Sequence, residues 1–164
     1  MVDQITVQTI GVLVAASSVL IGVVYYILQM KEQNKNRQAQ LFMQIYNHYL
    51  DRISDDEMDV FPMKYNGYDD FMEKYGWDTN PDGWRKFSRF LSYTEGMGTL
   101  VKRGLIDASL VYDINGGLVK WYWEKAKPFW VEFGVRHGVT HVAPFTEYLY
   151  EWLMPMYEGE MSGG

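Results

Sequence analysis

Between Asp3 and Lys31 the chain carries no charged residue, and from Ile10 to Leu28 every position is apolar or small. At about 1.5 Å per residue, a helix of that length covers the hydrocarbon core of a bilayer. Backbone in lipid must satisfy its own hydrogen bonds, so the run predicts one transmembrane helix. A cleaved signal peptide is the rival reading. The run is too long for one, no basic segment precedes it, and no small-x-small cleavage site follows it. Within the run, Gly11, Ala15, Ser18 and Gly22 recur at helical spacing on one face, where a second membrane helix, or a copy of this one, could approach closely.

Beyond the run the pattern changes twice. Residues 31–40, "KEQNKNRQAQ", are polar on all sides, which fits a solvated helical stalk. Leu41, Phe42, Ile45, Tyr46, Tyr49, Leu50 and Ile53 then trace an apolar helical stripe, where the core of a domain begins. "SDDEMD", 54–59, reads as an acidic break, extended as a loop by Pro62 and Gly67, and "YDDFMEKYGW" as a short helix ending at Gly76. Asn80 and Pro81 supply an N-cap and first turn for a helix whose apolar positions run from Trp84 to Val101. Lys102, Arg103 and Gly104 end it, and Asp107 caps the next. That helix passes Gly116 and Gly117, which predict a close neighbour or a bend, and Pro128 ends or kinks it. "APFTEYLYEWL" forms the last helix. The predicted fold is all-α: an anchor over 1–30, a stalk over 31–40, a four- to five-helix domain over 41–155 and a loose tail over 156–164.

Charge adds orientation. Asp3 precedes the run without any Lys or Arg, whereas Lys31, Lys35 and Arg37 follow it, so the positive-inside rule places the carboxy-terminal domain in the cytoplasm of a single-pass cell-membrane protein. The whole chain has 15 Lys plus Arg against 21 Asp plus Glu, a net charge of −6, which argues against nucleic acid as a partner. The absence of cysteine removes disulfides, thiolate metal sites and cysteine nucleophiles.

The segment that looks most like chemistry is "SYTEGMGTLVKRGLID", 92–107. Its glycines do not form a dinucleotide loop, because Val101 stands where a third glycine is needed, and "KRG" has the wrong order for a P-loop. Gly96 and Gly98 instead predict close helix packing. Glu95 lies beside the apolar stripe and is expected to be partly buried and paired, with Arg136 and the indole N–H groups of Trp121 or Trp123 as partners. In "WYW", 121–123, adjacent side chains cannot all face one core, so one aromatic must meet a second surface. "DTNPDG", 78–83, opens like a calcium loop, but its twelfth position is Arg89 rather than a bidentate Glu. His137 and His141 stand at i, i+4 without a third ligand. No catalytic residue, cofactor or metal site is assigned.

"RFLSYTEGMGTLVKRGLIDASLVYDINGGLVKWYWEKAKPFWVEF" resembles the central block of the domain-of-unknown-function 4760 family. The residues that carry the resemblance are Tyr93, Glu95, Gly104, Ile106, Asp107, Trp121 or Trp123, and Pro128, within roughly 40–136, and "NGG" departs from the pattern. The resemblance implies one amino-terminal span followed by a small helical domain, and no activity. The expected function is a membrane-anchored helical interaction module, an accessory or scaffold subunit whose partners are the bilayer and other membrane helices or itself. The alternatives are a metal- or carboxylate-dependent enzyme using Glu95, His137, His141 and the acidic segment, and a sensor of a small ligand.

Overall fold

The computed structural model describes residues 2–162, and of 2–7 and 160–162 the backbone alone. Among the described residues the chain is all-α. Its six helices are α1 (Val2–Arg52), α2 (Ser54–Val60), α3 (Gly67–Tyr75), α4 (Pro81–Lys102), α5 (Ala108–His137) and α6 (Pro144–Ser162). It divides into two compact units, residues 1–40 and 41–164.

The first unit is helical throughout its described part, as expected of a run without glycine breaks after Gly22 and without proline. Residues 8–37 are exposed, and α1 is long and apolar enough here to cross a membrane. Ser18 Oγ donates to the carbonyl of Val14 at 2.8 Å, so this hydroxyl is satisfied within its own helix.

The second unit is built around aromatic rings. Phe71, Phe87, Phe90, Tyr122 and Phe129 are fully buried and touch one another, and Phe42, Tyr49 and Ile53 of α1 join the same core, as their stripe predicts. Local signals hold at the helix ends. Asn80 Oδ1 accepts from the N–H of Gly83 at 2.9 Å, and Asp107 Oδ1 from that of Ser109 at 2.9 Å. Gly104 adopts φ +66, and the N–H groups of Gly104 and Leu105 bond back to Val101 and Leu100, closing α4 in a Schellman motif.

Three expectations are corrected. The acidic segment 54–59 is not a loop but the helix α2, whose Asp55, Asp56 and Glu57 occupy the first turn, where the helix dipole favours them. Of the two outcomes expected at Pro128, an end or a kink, the end does not occur: α5 runs through it, with Ala126, Phe129 and Trp130 buried on either side. Packing over several turns outweighs the one hydrogen bond that proline removes. Residues 156–162, expected as tail, continue α6 beyond Pro155. Met156 and Tyr157 pack against the core, the Tyr157 ring lying 4.7 Å from that of Tyr112. Its hydroxyl sits 2.7 Å from where a Cβ on Gly116 would be, so the costly glycine makes room for the end of the last helix.

Candidate interaction surfaces

Glu95 faces the start of α6. The N–H of Glu147 bonds to the carbonyl of Ala143, so Ala143 is the N-cap residue, and it has no side-chain acceptor for the free amides of the first turn. Glu95 Oε1 replaces one, accepting from Phe145 N at 2.9 Å and from Thr146 N at 2.5 Å. Beside it the buried hydroxyls of Thr94 and Thr146 lie 2.9 Å apart. A Cβ on Gly98 would stand 2.0 Å from the carbonyl oxygen of Phe145, so glycine there is what lets α6 approach α4, whereas Gly96 faces open space.

The expected partners of Glu95 are engaged elsewhere. Arg136 binds Asp69 through both terminal nitrogens and Glu132 through Nε, with its guanidinium 4.3 Å from the centre of the Tyr68 ring. The hydrogen bonds from Arg136 hold the Asp69 carboxyl below the ordinary aspartate range. Trp121 stacks on Phe61 at 4.2 Å, with Lys125 Nζ 4.8 Å above its ring, so it is the member of "WYW" that meets the second surface. Lys125 also donates to the carbonyls of Val60 and Phe61 at the end of α2, and its partial burial lowers its pKa.

The groups weighed as catalytic or metal-binding do not converge. Tyr49 donates to Glu57, Arg89 pairs with the buried Asp56 at 2.7 Å, and His137 stacks on Phe133 with Nδ1 2.8 Å from that residue's carbonyl. His141 lies apart in the wall of a cavity. Among the described residues no three His, Asp or Glu side chains are grouped so as to hold a metal ion.

That cavity, of about 450 Å³, lies where the end of α5, the 138–143 turn and the start of α6 meet. The turn begins at Gly138, in the left-handed region at φ +68, and folds so tightly that a Cβ on Gly134 would stand 2.6 Å from the Val139 carbonyl oxygen. Trp123 and Trp130 are buried beneath it, while Val131, Val135 and Val139 are exposed along one side. A second hollow, of about 500 Å³, adjoins it along α5 and shares Trp123 and Val131. In the sequence this surface is marked only by valines at i, i+4 and i+8 beside the tryptophans, and no expectation above includes it.

The family described as domain of unknown function (DUF4760) matches residues 5–152. This chain belongs to it. No curated protein and no solved structure matches. The DUF4760 match takes in both units, from the apolar part of α1 to the middle of α6. The motif residues quoted for the resemblance have structural work in this DUF4760 chain: Glu95 caps α6, Gly104 closes α4, Asp107 opens α5 and Tyr93 accepts a hydrogen bond from the buried Asn115 at 2.9 Å.

Proposed function

We propose that this DUF4760 chain is a membrane-anchored helical interaction module, an accessory or scaffold subunit of a membrane complex with no catalysis of its own. One observation carries the reading. The opening helix is uncharged from Gln4 to Met30, and its apolar side chains from Ile10 to Leu28 are exposed among the described residues. Leu20 and Ile21 are 66% and 70% exposed. A stretch of that length and composition is stable in hydrocarbon and a liability in water. The flanking charges favour a cytoplasmic helical domain. The small-residue face of Gly11, Ala15, Ser18 and Gly22 would admit a partner span or a second copy. Glu95 caps α6 and Asp56 pairs with Arg89, so these carboxylates have structural roles within the domain.

Alkaline carbonate extraction of membranes from cells making the intact chain tests the anchor: retention in the pellet is expected. Since the chain has no cysteine, single introduced cysteines report sidedness cleanly. An impermeant maleimide should label Val2→Cys in intact cells and Asn34→Cys only after rupture. Release of the intact chain into the soluble fraction overturns the anchor, and the reverse labelling overturns the orientation.

A further inference from the structure

We infer that the groove along α5 and α6 is the docking site for one amphipathic helix of a partner protein, with an apolar ridge and basic flanks. The inference rests on the interaction-module reading and gives its partner a chemistry. The two hollows share Trp123 and Val131 and adjoin along α5, so one ligand can lie across both. From Glu124 to Val135, both lining residues, α5 rises about 16 Å, the span of a three-turn helix. The trough has a buried indole floor, Trp123 and Trp130, and a wall of Val131, Val135 and Val139, with Val135 73% exposed. Ridges spaced at i, i+3, i+4 and i+7 on an incoming helix fill such a surface.

Charge selects the occupant. Glu124, Glu132 and Glu147 line the trough; Glu147 holds Lys127 at 2.6 Å and Glu132 shares Arg136 with Asp69, so the rim keeps a net negative charge, centred on Glu124 and the Asp69–Arg136–Glu132 cluster. A second copy pairing through this face by two-fold symmetry would bring two acidic rims together. Basic flanks on the incoming helix meet the same carboxylates favourably.

The test uses the full chain in zwitterionic lipid nanodiscs, with a photo-crosslinking amino acid at Val135 or, as a control, at the exposed Ile114. The probes are two model helical peptides with the same leucine ridge, one flanked by lysines and the other by glutamates. Crosslinking at 135 to the lysine peptide is expected, with yields falling several-fold at high salt, at 114, and with the glutamate peptide. In a second variant, Val131→Lys in the chain crosslinked at 135, the yield should drop about tenfold, as for loss of an interface anchor. Equal yields at 135 and 114, equal yields from the two peptides, crosslinking of the chain to its own copy, or to lipid in place of peptide, would each overturn the proposal. Carbonate extraction separates the readings: a chain retained in membranes that fails to crosslink loses the groove alone, and one released from membranes loses the anchor whatever the crosslinking shows.

Discussion

The carboxylate of Glu95 accepts the main-chain N–H of Phe145 at 2.9 Å, across fifty residues of chain. It takes the neighbouring amide of Thr146 as well, the two amides an N-cap side chain ordinarily serves. A carboxylate so engaged holds two helices together. With its Oε1 committed to this cap, the most chemically suggestive stretch of the sequence serves the scaffold.

Replacement of Glu95 therefore reads out as stability. Glu95→Gln keeps an accepting oxygen but loses the charge at the positive end of α6, worth about 0.3–1 kcal/mol. Glu95→Ala also strands both amides, and should cost about 1–2 kcal/mol. Thermal unfolding of the full chain in mild detergent should rank wild type above Gln above Ala. A native midpoint for the alanine variant would show that the cap contributes nothing.

Gly98 and Gly96 separate packing from propensity on the same helix. An alanine at 98 would drive its Cβ into the Phe145 carbonyl, a main-chain group that cannot swing aside, and such overpacking costs about 1–3 kcal/mol. At 96 nothing lies within reach, so Gly96→Ala should stabilise by about 0.5–1 kcal/mol through the helix propensity it restores. The two variants should move the unfolding midpoint in opposite directions. A shared direction would mean that α6 does not sit on α4 at Gly98.

What was legible in the sequence divides along chain distance. The Asn80 and Asp107 caps and the Gly104 closure each depend on residues within one turn, and their positions in the sequence suffice. The donors that hold Glu95 are main-chain amides, which no side-chain identity announces. Arg136 seemed the natural partner until Asp69, far off in sequence, supplied a two-pronged match beneath it. Pro128 illustrates the same limit: local propensity allows an end there, and burial of Phe129 and Trp130 carries the helix through, whereas Gly116 has the close neighbour its place in a helix predicts, the Tyr157 hydroxyl. The apolar membrane-length run needs no tertiary information, because its length and lack of charge are properties of the sequence itself.

Acid should weaken the domain, and Asp107 should carry part of the effect. The amide and hydroxyl of Ser109 hold its carboxyl below the ordinary aspartate range. A group whose pKa is lower folded than unfolded stabilises the fold above its unfolded value, near ~3.9, and loses that contribution as pH falls through the folded value. Asp69, Asp70 and Asp82, also depressed by their cationic partners, add to the same slope. Denaturation midpoints taken between neutrality and strong acid should fall most steeply below pH ~4. Asp107→Asn keeps an accepting cap without a titrating proton, so its curve should be shallower. An unchanged slope would remove Asp107 from the linkage.

The span can be tested by one charge placed where lipid would penalise it most. Leu20 is near the middle of the apolar run and 66% exposed in the isolated chain. In water, arginine at an exposed helical position would be neutral or favourable. At the centre of a bilayer it costs about 2.5–3.5 kcal/mol on insertion scales. Leu20→Arg should therefore reduce the fraction of chain resisting carbonate extraction, while Asn34→Arg, in the polar stretch, should leave it unchanged. Ser18→Ala should also be silent, because the serine hydroxyl is already spent on the Val14 carbonyl and owes nothing to a second helix. Gly11→Leu together with Gly22→Leu asks the remaining question. If a partner span lies against the small-residue face, the pair should abolish crosslinking through the membrane segment without releasing the chain from lipid, since leucine there favours insertion and forbids only close approach. Persistence of that crosslink would mean that helices meet the span on another face.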